Sequence, residues 1–116
     1  GKGYDKSGNI IYEVNNGNCR NIKIYDYEER LIYEGEYLNG KRHGRGKEYE
    51  NSLLLYEGDF LNDKRNGKGK EYKKRLLIYK GEFLNDERSG KGKEFDTNGN
   101  IYYGEYRNGK QYQKKE

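Results

Sequence analysis

The chain has 116 residues, of which 38% are charged and 30% hydrophobic, and its net charge is +4. This balance leans towards disorder, but 14 Tyr and 3 Phe recur mostly at fixed intervals, so we predict a folded chain. No apolar run approaches the roughly 18 residues of a membrane-spanning helix, no signal-peptide pattern is present, and a single cysteine excludes a disulfide framework.

In chain order, the sequence is a series of units with a period of 23 residues. A fixed period of this length predicts stacked supersecondary units, and a degenerate first copy is typical of a capping repeat. The absence of Met predicts that the array is part of a longer chain, and the lone cysteine favours a reducing, cytoplasmic location. The predicted units of this single array are a partial unit at 1–9, a degenerate copy at 10–32, full copies at 33–55, 56–78 and 79–101, and a partial copy at 102–116.

Each full unit is predicted to be a β-hairpin. In the first full copy, residues 33–38 alternate in character like a strand whose Tyr33 and Tyr37 share one face. Residues 39–44 contain Asn and Gly, which accept positive φ, and they are predicted to form the turn. Residues 45–49 then form the return strand, and residues 50–55 connect to the next unit.

Glycines and aromatic residues recur in step within these units. Gly44 and Gly46 lie in the return strand, where glycine usually marks the close approach of another group. We predict that this group is an aromatic ring, from Tyr33, from Tyr37 or from the neighbouring unit. A lone hairpin is too small to fold, so neighbouring units must complete the core. The predicted structural positions are Tyr33, Gly35, Glu36, Tyr37, Gly44, Gly46, Tyr56, Gly58, Asp59, Phe60, Gly67, Gly69, Tyr79, Gly81, Glu82, Phe83, Gly90, Gly92, Tyr102, Gly104, Glu105 and Tyr106.

Residues 33–46 carry the pattern Tyr-x-Gly-Glu-aromatic, two residues, Gly, and then Gly-x-Gly. This pattern resembles the MORN repeat (membrane occupation and recognition nexus). The next two copies match with Asp in place of the turn glycine, and the resemblance extends well over residues 33–112 but poorly over residues 10–32. It implies an all-β solenoid of consecutive antiparallel β-hairpins that form one elongated, rolled sheet.

The resemblance also implies a function. Members of the family are scaffolds that join cytoskeletal, ciliary or membrane-associated assemblies, and some associate with phospholipids. The motif brings no catalytic residue, so we expect no enzyme activity and no catalytic, metal or cofactor site. The leading hypothesis is a scaffold for a protein partner, held on a groove or sheet face lined by Tyr33, Tyr37, Phe60 and Phe83. Homo-oligomers are also expected, because unpaired sheet edges at both ends can join a second copy.

Carboxylates recur once in each unit, at Glu36, Asp59, Glu82 and Glu105. A pair of carboxylates can perform acid–base catalysis, but a carboxylate in every unit favours a structural role. We predict that these groups accept hydrogen bonds from the backbone or from tyrosine hydroxyls.

The cations have two interpretations. The pairs Arg45/Lys47, Lys68/Lys70 and Lys91/Lys93 form a cationic stripe if they share a face, unless cross-strand partners such as Glu34 and Glu57 neutralise them. We favour neutralisation. The cations of the turns are expected to be freer and to provide the alternative function, binding of anionic phospholipids by a peripheral membrane adaptor. These candidate contacts are Lys41, Arg42, Lys64, Arg65, Lys73, Lys74 and Arg75.

Other ligand classes fit the sequence less well. Tyrosines interleaved with cations are typical of single-stranded nucleic-acid platforms, but rings buried on glycines cannot stack on bases, so nucleic acid is not expected. The GKGK runs at 67–70 and 90–93 lack the Ser or Thr and the helix of a phosphate loop. His43 and Cys19 are too few to build a zinc site.

Overall fold

The computed structural model describes residues 2–4, 10–12 and 18–114, with side chains from residue 22 to residue 111. The described residues form eleven β-strands and no helix. All eleven belong to one antiparallel sheet, in which the spatial order is the chain order. The predicted all-β array of consecutive hairpins is therefore confirmed. The strands are β1 (Lys2–Tyr4), β2 (Ile10–Tyr12), β3 (Asn18–Tyr25), β4 (Leu31–Leu38), β5 (Lys41–Glu50), β6 (Leu53–Leu61), β7 (Lys64–Lys73), β8 (Leu76–Leu84), β9 (Glu87–Phe95), β10 (Ile101–Arg107) and β11 (Lys110–Lys114).

The sheet is elongated, with principal extents of 53 × 24 × 19 Å. Neighbouring strands lie about 4.8 Å apart, so stacking the strands in chain order accounts for the long dimension. The sheet is open and uncurled, with β1 and β11 at opposite ends. The elongated form agrees with the prediction, whereas the sheet does not roll up on itself. The degenerate copy supplies β2 and β3. Its segment Asn15-Asn16-Gly17, which aligns with Leu38-Asn39-Gly40 of the first full copy, lies outside the described residues.

The turns are shorter than predicted. Asn39 and Gly40, with φ of 50° and 78°, complete the first turn alone, so residues 41–44 belong to β5 and not to the turn. Two positive φ values in a two-residue loop are the geometry that matches the twist of a hairpin. The connector at 50–55 is corrected in the same way, because Asn51 and Ser52 form its whole turn. Long strands result, since pairing continues almost to each reversal.

Each hairpin from β4 to β7 contains a bulge opposite its repeated carboxylate. Between the pairs Gly35–Gly46 and Tyr37–Arg42, the single residue Glu36 faces three residues of β5. The extra residues bend the strand, and Gly44 adopts a φ of 72° there. The equivalent glycines in β7 and β9 also have positive φ, which a residue with a Cβ adopts only with strain.

The repeated carboxylates hold these bulges closed. Glu36 Oε2 accepts a hydrogen bond from the backbone N–H of Arg45 at 2.8 Å. Asp59 and Glu82 accept equivalent bonds, at 3.1 Å, from the backbone N–H groups of β7 and β9. The extra residues of a bulge are left without ladder partners. The carboxylate therefore accepts a hydrogen bond from a backbone N–H group that lacks a partner in the ladder. For Glu36, Asp59 and Glu82 this is the backbone hydrogen bond that the sequence analysis predicted.

The core is one row of side chains on one face of the sheet. Its rings meet edge to face along the array: Tyr33 contacts Phe60, Phe60 contacts Tyr56, and Tyr56 contacts Phe83, with centroids 5.0–5.4 Å apart. Edge-to-face pairs at this distance stabilise a core beyond their buried area. Every member is at most 4% exposed. The core residues are Ile22, Ile24, Tyr33, Tyr37, Tyr56, Phe60, Tyr79, Phe83 and Tyr106.

The core tyrosines also fix the bent backbone. The hydroxyl groups of Tyr33, Tyr56 and Tyr79 each donate to the backbone carbonyl oxygen three residues later, at 2.6, 2.8 and 3.0 Å. These carbonyls belong to Glu36, Asp59 and Glu82, the same residues whose carboxylates hold the bulges. Ring, carbonyl and carboxylate therefore form one device that is repeated in each full unit.

Candidate functional site: a charged groove over a glycine ladder

Glycines form a continuous line across the sheet. They are paired in register from strand to strand, from β4 to β10. On the core side, the rings of Tyr33, Tyr56 and Tyr79 lie against three of these glycines, and a Cβ on Gly69 would lie 2.5 Å from the Tyr56 Cζ atom. A side chain at these positions would point to the core, so on the opposite face the line is bare backbone between the side chains of the flanking residues. This glycine ladder consists of Gly35, Gly46, Gly58, Gly69, Gly81, Gly92 and Gly104.

The bare line is the floor of a groove that runs across the strands. Its larger part, with a volume of about 820 Å³, passes over Gly69, Gly81 and Gly92. A smaller extension of about 240 Å³ passes over Gly35 and Gly46. The residues that flank each glycine in its strand point to this face, so they form two walls. The first wall comprises Glu34, Lys47, Glu57, Lys70, Lys80, Lys93 and Tyr103, and the second comprises Glu36, Arg45, Asp59, Lys68, Glu82, Lys91 and Glu105.

The second wall alternates in charge along its whole length. Arg45 faces Asp59 across the strands and forms an ion pair with it at 3.0 Å. Lys68 faces Glu82 in the same register. The neutralisation that the sequence analysis favoured therefore describes this wall.

The first wall alternates only over its first half. Lys47 lies between Glu34 and Glu57, and Glu57 faces Lys70. The pattern then breaks, because Lys70 faces Lys80 and Lys80 faces Lys93. The prediction of neutralisation is therefore wrong over β7–β9, where Lys70, Lys80 and Lys93 form a cationic stripe. The sequence carried the signal, since Lys80 replaces the glutamate of the two preceding units, but the residue was not singled out.

The turn arginines are not free. The Arg65 guanidinium lies 4.7 Å from the Tyr56 ring centroid and pairs with Glu48 at 3.0 Å. Arg42 lies 4.9 Å from the Phe60 centroid and pairs with Asp63 at 2.8 Å. A guanidinium can stack on a ring and pair with a carboxylate at the same time. These two side chains therefore cover the rings of the core row. This corrects the expectation that Arg42 and Arg65 are available to bind anions.

The remaining turn cations lie along two opposite sides of the sheet, one at each end of the strands; these two sides are called edges here and are not the edge strands β1 and β11. Lys41 and Lys64 are exposed beside the turns of the hairpins, whereas residues 73–75 are exposed at the reversal between β7 and β8. The two edges are separated by the full length of a strand. The predicted set of seven therefore does not form one surface.

The aromatic residues also require a correction. Tyr33, Tyr37, Phe60 and Phe83 are buried in the core row, so a partner cannot contact them as the sequence analysis expected. Tyr102 differs from its equivalents in the other units: it is 36% exposed, and its hydroxyl donates to Asp96 at 3.1 Å. The accessible ring beside the groove is Tyr103, which is 51% exposed.

Neither a metal-binding cluster nor a membrane-spanning helix occurs among the described residues. No group of three or more His, Cys, Asp or Glu side chains is placed there to hold a metal ion, and His43 has no such cluster around it. The side chain of Cys19 lies outside the described set. No helix suited to crossing a membrane occurs in the part of the chain that the structure describes.

Burial raises the pKa of four of the core tyrosines above the ordinary value of 10. It raises the pKa of Tyr79 to about 12, and it raises the pKa of Tyr33, Tyr56 and Tyr106 further. The folded state therefore holds these protons more tightly than the unfolded state. The resulting stabilisation is complete below about pH 10 and is lost as the pH rises through about 12.

We accordingly expect alkaline unfolding. The midpoint of thermal unfolding should be nearly constant from about pH 8 to 9 and should fall steeply above about pH 10. Differential scanning fluorimetry across this range measures it. A Tyr79→Phe variant, which lacks one of the titrating groups, should show a shallower fall. A midpoint that stays constant to about pH 11.5 would contradict this linkage.

Single-sheet architecture, consecutive hairpins and a glycine ladder under aromatic rings define a β-hairpin repeat protein. The family model for the MORN repeat matches residues 33–52, 56–74 and 79–101, together more than half of the chain. The chain belongs to the MORN repeat family. No curated protein matches the chain.

Proposed function

We propose that this chain is a non-enzymatic scaffold that holds a segment of a partner protein in the groove over the glycine ladder. The main observation in support is that successive units build the groove together, because its floor and walls come from consecutive strands between β4 and β10. MORN repeats are generally associated with protein or membrane binding. By family resemblance, the assembly it serves is cytoskeletal, ciliary or membrane-associated.

The chemistry of the walls supports binding in preference to catalysis. Three repeated carboxylates already accept backbone hydrogen bonds at the bulges, so they serve the backbone of their own hairpins. Most of the remaining wall residues are long charged side chains, and five of them are exposed: Arg45, Lys47, Lys68, Lys80 and Lys91. Such side chains supply complementary charge to a partner and set the specificity and rate of association.

Site-specific photo-crosslinking tests this function. A benzophenone amino acid placed at Lys47 in the groove should yield a discrete crosslinked species in an extract of the source cells. Placed at Asn98, in the exposed loop between β9 and β10, it should not. The captured protein is then purified and titrated against the unmodified chain. Equal capture from both positions, or no binding by the purified protein, would refute a groove-bound partner.

Homo-oligomers are part of the same proposal. A strand at a sheet edge presents unpaired backbone groups that a second copy can pair with. Light scattering over a range of concentrations should show a mass that rises with concentration. A monomer mass at every concentration would exclude this assembly mode.

A peripheral membrane adaptor is the second candidate, and one observation favours it. Lys73, Lys74 and Arg75 are three adjacent exposed cations, and among the described residues none of them forms an ion pair. Cations near an anionic bilayer contribute about 1 kcal/mol each. Reversal of all three charges should then abolish co-sedimentation with phosphatidylserine vesicles, whereas Lys41→Glu on the opposite edge should not. Unchanged co-sedimentation would refute this site.

A further inference from the structure

We propose that the part of the groove over β7–β10 recognises an acidic, extended segment of the partner, with Lys70, Lys80 and Lys93 as its contact residues. This inference rests on the proposed scaffold function and names the chemistry of the segment that the groove holds. It follows from the charge pattern of the first wall, from the shape of the floor and from the ring at one end.

The charge pattern breaks a rule that the rest of the groove obeys. Like charges placed directly opposite on neighbouring strands destabilise a sheet, and elsewhere the walls largely alternate in sign. Lys70, Lys80 and Lys93 face each other in succession, and within the described residues none of them forms an ion pair. Departures from local rules concentrate at functional sites. A negatively charged ligand would relieve this repulsion.

The two parts of the groove differ in net charge. Six cationic and two anionic side chains line the larger part, whereas two of each sign line the extension. Net positive charge is therefore confined to one end of the groove. A segment that fills the whole groove would carry its acidic residues at that end and uncharged or mixed residues over β4–β6.

The shape of the groove favours a peptide over a flat surface. The floor is the backbone of the glycine ladder, and the flanking side chains rise on both sides of it, so an extended chain can lie along it. A bilayer would reach the ends of the lysines but not the floor. Neighbouring strands are about 4.8 Å apart, so the three lysines extend over about 10 Å, which corresponds to about three residues of extended chain.

The far end of the positive part carries an exposed ring. Tyr103 lines the groove, and the Lys93 Nζ atom lies 5.3 Å from its ring centroid. A cation over a ring face is held in place, while the rest of the ring remains available for apolar contact. The preferred segment thus has about three acidic residues followed by an apolar or aromatic residue.

Charge reversal at one residue separates binding from stability. Lys80→Glu restores the alternation that Glu34 and Glu57 provide in the preceding units. The probe is a fluorescein-labelled peptide with three glutamates followed by leucine, and its counterpart has three glutamines in their place. We expect Lys80→Glu to weaken binding of the acidic peptide by roughly tenfold or more while the thermal unfolding midpoint stays the same or rises. Lys64→Glu, which changes the net charge equally but lies outside the groove, should bind like the unmodified chain.

Each other outcome overturns the inference in a distinguishable way. Equal binding by Lys80→Glu and Lys64→Glu would show that only net charge matters, and equal binding of both peptides would exclude acidic recognition. If vesicles of phosphatidylserine, and not the peptide, bound in a manner sensitive to Lys80→Glu, the site would be one for lipid headgroups. Retained crosslinking at Lys47 without acidic-peptide binding would refute this inference alone, and loss of both would refute the scaffold function as well.

Discussion

Truncation of Tyr56 to alanine is expected to lower the free energy of unfolding by about 3–5 kcal/mol, the range for removal of a buried aromatic side chain. The ring is fully buried, contacts Phe60 and Phe83 edge to face, and lies under the Arg65 guanidinium. It joins two units at once, because Phe83 belongs to the next hairpin. The loss therefore removes a contact between units as well as one within a unit.

Two matched variants separate the parts of this effect. Tyr56→Phe keeps the ring and removes only the hydroxyl bond to the Asp59 carbonyl, so it should cost about 1 kcal/mol. Tyr102→Ala, at the equivalent but exposed position, should cost less than the Tyr56 truncation by several kcal/mol. Urea unfolding followed by circular dichroism measures all three. Similar losses for Tyr56→Ala and Tyr102→Ala would show that the ring row does not stabilise the array.

A methyl group added at Gly69 is expected to destabilise the fold by about 3 kcal/mol, at the upper end of the usual range for overpacking. Its Cβ would lie 2.5 Å from the Tyr56 Cζ atom, and the ring cannot retreat because neighbouring rings enclose it. The backbone is equally constrained, since Gly58 and Gly69 are paired in close contact. Gly69→Ala should therefore displace the rings of the core row as well as the backbone at residue 69.

The control for this variant is Gly40→Asp. Gly40 has a positive φ, which Gly69 does not, and nothing lies within 4 Å of the position that its Cβ would take. Aspartate occupies the equivalent turn positions at Asp63 and Asp86, with φ of 74° and 72°. We expect a change within about 0.5 kcal/mol, as for ordinary surface substitutions. A loss at Gly40 as large as that at Gly69 would mean that glycine is needed for its backbone freedom and not for ring contact.

The arginines of the turns connect these effects to assembly of the array. Arg42 and Arg65 each contact rings from two successive units, and Arg88 does the same for Tyr79 and Tyr106. Each also pairs with a carboxylate from another strand or from a turn. A single hairpin supplies neither the second ring nor all of these partners. Stability is thus distributed over interfaces between units, as expected of repeat proteins.

Much of the fold was determined by the sequence because its causes are local. The period fixed the succession of hairpins, and alternation within residues 33–38 placed Tyr33 and Tyr37 on one face. Recurrence of glycine with tyrosine predicted rings on bare backbone, and the structure has this contact in each full unit. The recurrence of one carboxylate in each unit predicted that these side chains accept hydrogen bonds from the backbone, because a group repeated in every unit has a role that every unit needs.

Tertiary structure alone decided which charges meet. Lys70, Lys80 and Lys93 are far apart in the sequence, and only the register across β7, β8 and β9 makes them neighbours. Arg42 and Arg65 are turn residues by position, but ring and carboxylate partners from other strands draw them into the core row. The bulges, which set that register, depend on pairing between strands, and the glycines that recur in them do not by themselves specify how many residues face each other. The charge of a side chain can be read from the sequence, whereas the residue that faces it depends on the register between strands. For this reason the sequence predicted the array, and only the structure revealed the groove.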